Sequence, residues 1–392
     1  MAVIFGGMVT AFVILLLRLP EGLGFSGAAH IAGAMGKLEA VDVSFDPGKR
    51  YTLWTGLLGG LFLSLSYFGT DQSQVQRYIG GASLREGRLG LMFNALLKIP
   101  MQFFILLLGA FVFVFYQFDK PPVFFNQIAW ERHAVGTNAP IFRAIEQRHA
   151  IAHDEVKDDV ARWLTARKAR NPAMEANARA AMLAAQVRID VIRQEAKAAL
   201  KAADPAAKTK DSDYVFITFI LAQLPHGAIG LLIAVMIAAA LSSTASELNA
   251  LATTTTIDLW RRMRPLAAAD EARNVRVAKW LTGFWGVFAI AFALFVGVAE
   301  NLIEAINILG SIFYGVVLGI FLVAFFLKPV RGTAVFWGAV TAQVLVFILY
   351  SELSIGYLWF NLIGCAACVL FSLAFQALSG SSRRAGNGGL EA

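Results

Sequence analysis

From Ile237 to Asp258 the chain reads IAAALSSTASELNALATTTTID, a small-residue run carrying Ser242, Ser243, Thr244 and Ser246. Small hydroxylated residues supply what a dehydrated alkali cation needs, namely hard oxygen ligands, close backbone approach and no added charge. The same run also fits tight helix packing, with each hydroxyl bonded back to the carbonyl four residues earlier. A second stretch, SLSYFGTDQSQVQR from Ser64 to Arg77, passes at Gly69 from apolar to wholly polar sequence. A glycine-containing break at membrane depth exposes carbonyls and helix ends to a solute, although a helix simply leaving the membrane reads the same way. Lys98, in LMFNALLKIPMQFF, lies about ten residues inside its apolar run, on the order of 15 Å of helix rise. A lysine at that depth costs about 2.5–3.5 kcal/mol unless it faces a cavity or a partner. Pro100 follows and frees a carbonyl nearby.

Two other constellations carry less. His149 and His153 stand four apart with Asp154 beside them, a spacing that can hold zinc, but no third ligand or HExxH pattern accompanies them. No metal beyond an alkali cation is expected. Cys365 and Cys368, the only cysteines, mimic a redox pair inside an apolar run with no charge to stabilise a thiolate, and are read as packing residues.

The elements that must position these groups are membrane helices. Of 392 residues 57% are hydrophobic and only 16% charged, with 34 Gly and 31 Phe, and mean hydropathy is +0.61. Soluble domains carry about a quarter charged residues. A bilayer core of about 30 Å takes about 20 helical residues, and backbone in lipid must pair within its own segment. The expected spans are Ala2–Leu17, Leu53–Gly69, Leu89–Tyr116, Ile229–Ile257, Val277–Val298, Leu302–Leu327, Thr333–Tyr350 and Ile355–Leu378. The fold class is therefore all-α and polytopic, with about eight transmembrane helices. Ala2–Leu17 is read as a span rather than a signal peptide, because its first basic residue, Arg18, follows the apolar run.

Numbering the gaps alternately puts Arg77, Arg85, Arg88, the cluster Arg261–Lys279, Lys328, Arg331, Arg383 and Arg384 on one side. Basic residues stay cytoplasmic, so both termini are expected inside an inner or plasma membrane. This placement also argues against nucleic acid as the partner of the +7 net charge. The organisation is then 1–116 membrane helices, 117–225 an extracytoplasmic helical insertion, 226–379 membrane helices and 380–392 a short cytoplasmic tail. Within the insertion Asp154–Ala203 has helical composition, with Pro172 dividing it into two helices.

The stretches quoted above resemble the sodium:solute symporter family, whose members share a LeuT-type inverted-repeat fold. The resemblance rests on Gly69-Thr70-Asp71-Gln72 with Val75-Gln76-Arg77, and on the small-residue helix with Ser242, Ser243, Asn249 and Asp258 in register. It implies a symporter in which Na+ is the co-transported ion, held by Ser242, Ser243 and the carbonyl of Ala239. It implies further that Tyr67 is an aromatic gate with Ser64 one turn before it, that the broken helix bends at Gly69, and that Lys98 and Asn307 reach the substrate cavity. The partners would be the lipid bilayer and a small organic solute such as a sugar, carboxylate or amino acid. No enzymatic chemistry is implied. Counting spans, Ala2–Leu17 resembles the family's fifth core helix. The expectation is thus a partial LeuT-like bundle, the product of a truncated frame, inactive alone and completed by the earlier helices as a separate polypeptide. A transporter-like sensor is the second reading, set back by the short SGSSRRAGNGGLEA end.

Overall fold

The computed structural model describes residues 2–39, 41–81, 83–263, 270–296 and 302–387, all helices and connecting loops. Arg264, the last residues of the span expected at 277–298, and the tail beyond Asn387 lie outside the described residues. The chain divides into two compact units, Met1–Ala40 with Ala95–Ala240, and Val41–Asn94 with Leu241–Ala392.

The first unit contains α1 (Ala2–Arg18), α2 (Phe25–Ala34), most of α5 (Leu84–Phe118), α6 (Gln127–His133), α7 (Ala139–Lys168), α8 (Pro172–Ala203), α9 (Val215–Gln223) and the first half of α10 (His226–Thr254). Its charged portion is a hairpin of α7 and α8. The buried positions of α7 include Phe142, Ile145, His149, Ala152, Val156, Val160 and Trp163, flanked by His153, Asp159 and Ala166, and those of α8 are Met182, Ala185, Ile189, Ile192, Ala196 and Leu200. Both stripes recur at three- and four-residue intervals, the spacing that puts one face of a helix against a neighbour. The turn between them uses Arg170 at φ 52, and Asn171 caps α8 by accepting from the Met174 N–H. Pro172 then sits at the first helical position, where its missing N–H costs nothing.

Helix α7 begins fifteen residues earlier than the composition of Asp154–Ala203 implied, at Ala139. The earlier turns are held by aromatic packing that charge balance does not reveal: Trp130 stacks on Phe142 at 4.5 Å between ring centroids. The hairpin is tied to the end of α5, where His153 Nε2 lies 3.0 Å from the Tyr116 carbonyl and Phe115 meets Phe219 of α9 at 5.2 Å.

The second unit contains α3 (Gly60–Thr70), preceded by a π-helical turn at Thr55–Gly59, α4 (Gln72–Ile79), the rest of α10 with its π-helical end Thr255–Trp260, the single turn α11 (Arg261–Met263), α12 (Glu271–Val296), α13 (Leu302–Phe326), α14 (Gly332–Glu352) and α15 (Trp359–Asn387). Its core is the bundle of α13, α14 and α15. Glycines set the approach distances there. A Cβ on Gly315 would fall 2.8 Å from the Phe360 carbonyl oxygen, and one on Gly338 would fall 2.6 Å from the Ser372 nitrogen. Polar groups cross the same seams: the buried Asn361 donates to Ser311 Oγ at 3.0 Å and the half-buried Gln343 donates to the Ile312 carbonyl at 3.2 Å. Cys365 and Cys368 are buried there as free thiols.

Among the described residues six helices are long and apolar enough to cross a membrane: those at Leu84–Phe118, His226–Met263, Glu271–Leu294, Ile306–Phe326, Gly332–Glu352 and Trp359–Ser379. The two other expected spans, α1 and the stretch ending in α3, are apolar but shorter.

Candidate functional site

The clearest polar geometry in the second unit lies where α3 gives way to α4. Asp71 has extended backbone (φ −74, ψ 119), and its Oδ1 accepts from the Ser73 N–H at 2.9 Å and from the Ser73 hydroxyl at 2.6 Å. An aspartate in that conformation closes one helix and caps the next. The break therefore falls at Asp71, two residues beyond Gly69, which is itself helical with no neighbour within 4 Å of a Cβ position. Asp71 also receives the Tyr314 hydroxyl of α13 on Oδ2 at 3.3 Å. One turn earlier, the wholly buried Ser66 donates to the Tyr314 carbonyl at 2.9 Å, and Thr70 donates to the Ser66 carbonyl at 2.9 Å. The elbow is thus fastened to α13 at both the backbone and the ring of a single tyrosine.

Arg77, at the end of the polar stretch, donates to Ser246 of α10 through Nη2 at 3.0 Å and Nε at 3.4 Å. The two sequence motifs, one ending in VQR and the other in the serine run, therefore meet through an arginine and a hydroxyl. Ser246 stands one turn beyond Ser242 and Ser243, which in turn stand one turn beyond Ala239. Ala239, Ser242 and Ser243 are exposed on α10, and the two serines make no side-chain hydrogen bond among the described residues.

Of the other expected site residues, Ser64 is exposed and Tyr67 half-buried on α3, with the Tyr67 ring 5.1 Å from that of Phe68. Asn307 is half-buried on α13. Lys98 is exposed on α5, within the portion assigned to the first unit. Sequence reasoning passed over Ser66 and Tyr314, and had Asp71, Arg77 and Ser246 only as members of the quoted stretches, not as partners. An aspartate two residues before a serine in a polar stretch is a readable cap signal; nothing in the sequence singles out Tyr314.

The sodium:solute symporter family model matches residues 156–342. Just under half of this chain thus matches that family. Over 90 residues, 23% of this chain and 14% of the relative, it is 34% identical to the mouse sodium-coupled monocarboxylate transporter 2. Over 93 residues it is 32% identical to the human sodium/iodide cotransporter, covering 24% of this chain and 14% of that protein. It is 25% identical over 155 residues to the sodium/sialic acid symporter NanT of Aliivibrio fischeri, covering 39% of this chain and 30% of that one. Among solved structures, the substrate-bound outward-open state of a Na+-coupled sialic acid symporter matches 96% of this chain and 60% of its own, with a TM-score of 0.63 at 17% identity. The chain thus shares the fold of that symporter, as the motifs implied, and spans 14–30% of the lengths of these curated relatives and 60% of that structure. These relatives are transporters rather than enzymes.

Proposed function

We propose that this chain serves sodium-coupled symport of a small organic solute. The observation that carries the reading is the pair of adjacent exposed hydroxyls, Ser242 and Ser243, on an apolar helix of a sodium:solute symporter homologue. Exposed serines in the middle of a membrane helix gain nothing from lipid, and their value lies in serving a polar occupant. In this reading the Ala239 carbonyl and the two hydroxyls replace part of the hydration shell of Na+. Tyr67 and Ser64 on α3, with Asn307 on α13, serve the solute, whose binding and that of the ion stabilise the same closed arrangement.

The elbow at Asp71 supports the proposal. A helix interrupted at depth is a recurrent feature of transporter binding sites, and the Ser66–Tyr314 and Tyr314–Asp71 contacts hold this interruption against α13. The basic residues at 77–88, 261–279 and 328–331 favour a cytoplasmic position for those loops, both termini, and the foot of the elbow. The solute is proposed only as a class, with a carboxylate, sugar or polyol the first to try. Names among the relatives include a monocarboxylate transporter and a sialic acid symporter.

The test is sodium binding by the purified chain in nanodiscs, read as a rise in unfolding temperature in NaCl over choline chloride. Uptake of labelled lactate, sialic acid and myo-inositol into proteoliposomes is measured alongside it. The sodium response is expected in the parent chain and absent from Ser242→Ala/Ser243→Ala. An equal response in both would remove the cation from α10.

A further inference from the structure

In the second unit the segment ahead of the π-helical turn at Thr55–Gly59 alternates apolar and polar residues, reading Val41-Asp42-Val43-Ser44-Phe45-Asp46. The polar set is turned into the loop's own hydrogen bonds. Asp42 Oδ1 accepts from the Ser44 N–H at 2.9 Å, and Lys49 Nζ donates to Asp42 Oδ2 at 2.8 Å and to Ser44 Oγ at 3.0 Å. Asp46 Oδ1 accepts from the Gly48 N–H at 2.9 Å, and the Asp42 carbonyl takes the Leu53 N–H at 2.7 Å. The apolar set is left outside, with Val41, Val43 and Phe45 63%, 68% and 70% exposed. A loop bathed in water shows large apolar side chains singly rather than as one edge.

Two contacts fix the level at which this edge stands. The Pro47 carbonyl accepts from the Gly356 N–H at 2.8 Å, and the Tyr51 and Tyr357 hydroxyls share a hydrogen bond at 2.7 Å. The backbones meet so closely that a Cβ on Gly356 would fall 2.8 Å from the Lys49 carbonyl oxygen. Gly356 lies between the end of α14 at Glu352 and the start of α15 at Trp359, so the loop is clamped where two helices of membrane-spanning length end. A separate pair of contacts joins the edge to the helix that follows. Phe45 meets Trp54 edge-on with ring centroids 5.9 Å apart, and Trp54 Nε1 donates to the Val43 carbonyl at 3.2 Å. From Trp54 the exposed apolar residues Leu57, Leu58 and Leu61 follow at three- and four-residue intervals.

We propose that residues 41–54 are an interfacial anchor, with Val43 and Phe45 inserted at the boundary between lipid headgroups and acyl chains. The occupant of the apolar edge is lipid. Its level is that of the ends of α14 and α15, it continues through the Phe45–Trp54 pair onto an apolar helix, and Trp54 and Tyr51 are side chains with an apolar body and a polar tip, the kind that suits this boundary. The anchor would fix the near end of the helix whose far end is the break at Asp71. It depends on neither the ion nor the solute.

The experiment is spin labelling of Val43→Cys and Phe45→Cys in the full chain, one chain per phosphatidylcholine nanodisc. Collision of each label with oxygen, which concentrates in lipid, is compared with collision with a water-soluble nickel chelate. Val344→Cys, exposed midway along α14, sets the lipid value, and Arg170→Cys at the exposed corner of the hairpin sets the water value. The native Cys365 and Cys368 are buried, and the parent chain treated with label gives their background. The oxygen-to-nickel ratio at both loop positions is expected to rise well above the Arg170→Cys value and towards that of Val344→Cys. Both positions are exposed, so neither substitution disturbs packing. A ratio equal to that of Arg170→Cys would place the edge in water and overturn the proposal. Poor access to both reagents would overturn it too, because protein rather than lipid would then cover the edge.

Discussion

Replacing Gly338 by alanine tests how closely α14 and α15 approach. A Cβ there would lie 2.6 Å from the Ser372 nitrogen and 2.8 Å from its Cα. Ordinary carbon contacts sit at about 3.5–4.0 Å, so the two backbones must part by about 1 Å. Gly338 and Ser372 are both buried, and Ala342 and Val346 continue the same face of α14. The loss is therefore spread along a packed seam rather than confined to one atom. Overpacking of this kind costs about 1–3 kcal/mol, against a helix-propensity gain of about 1 kcal/mol for replacing glycine. A net destabilisation of about 1 kcal/mol is expected, read as a lower midpoint of thermal or SDS unfolding in micelles. Gly283 of α12 has nothing within 4 Å of its Cβ position, so Gly283→Ala supplies the gain without the clash and leaves the midpoint equal or higher. Adding Ser372→Ala to Gly338→Ala should not restore stability, because the nearest obstructions include backbone atoms. Equal behaviour of the two glycine variants, or full rescue by Ser372→Ala, would refute a backbone-limited approach.

Burial drives the His149 imidazole from its ordinary value down to about 4, with Arg193, His153 and Lys120 adding to the effect. Between pH 6.5 and 4 the unfolded chain binds a proton that the folded chain does not, so stability falls as pH falls through that window. The loss approaches ~3 kcal/mol near pH 4, and hydrogen exchange of α7 should show it in the parent chain but not in a folded His149→Phe variant. Asp71→Ala removes the α4 cap and the Tyr314 hydroxyl's acceptor, for a loss of about 0.5–2 kcal/mol. Asp71→Asn keeps an oxygen in place and should lose less, with proteolysis at residues 70–80 as the readout. If sodium occupies α10, a concentration a hundred times its dissociation constant stabilises the chain by about 2.7 kcal/mol, and Ser242→Ala/Ser243→Ala abolishes this rise.

Much of the fold could be read from apolar runs because lipid leaves the backbone few choices. Leu302–Leu327, expected from hydropathy alone, differs from α13 by one residue at its end. The break near Gly69 was visible only as a change of composition, since its position depends on Asp71 accepting from Ser73. The early start of α7 and the existence of α9 escaped notice because aromatic contacts among residues distant in sequence, such as Phe115 with Phe219, decide them. At the candidate site the serines were legible by type and spacing. Their neighbour Arg77 was legible as a motif letter, and only the fold brings its guanidinium to Ser246.

The corner at Arg170 and Asn171 is exposed and joins two long helices whose packing lies wholly to one side of it. Such a corner can accept a short epitope or a single cysteine without touching either buried stripe. A membrane-impermeant label placed there would read which face of the bilayer carries the hairpin, fixing the sidedness of every helix before and after it by simple counting.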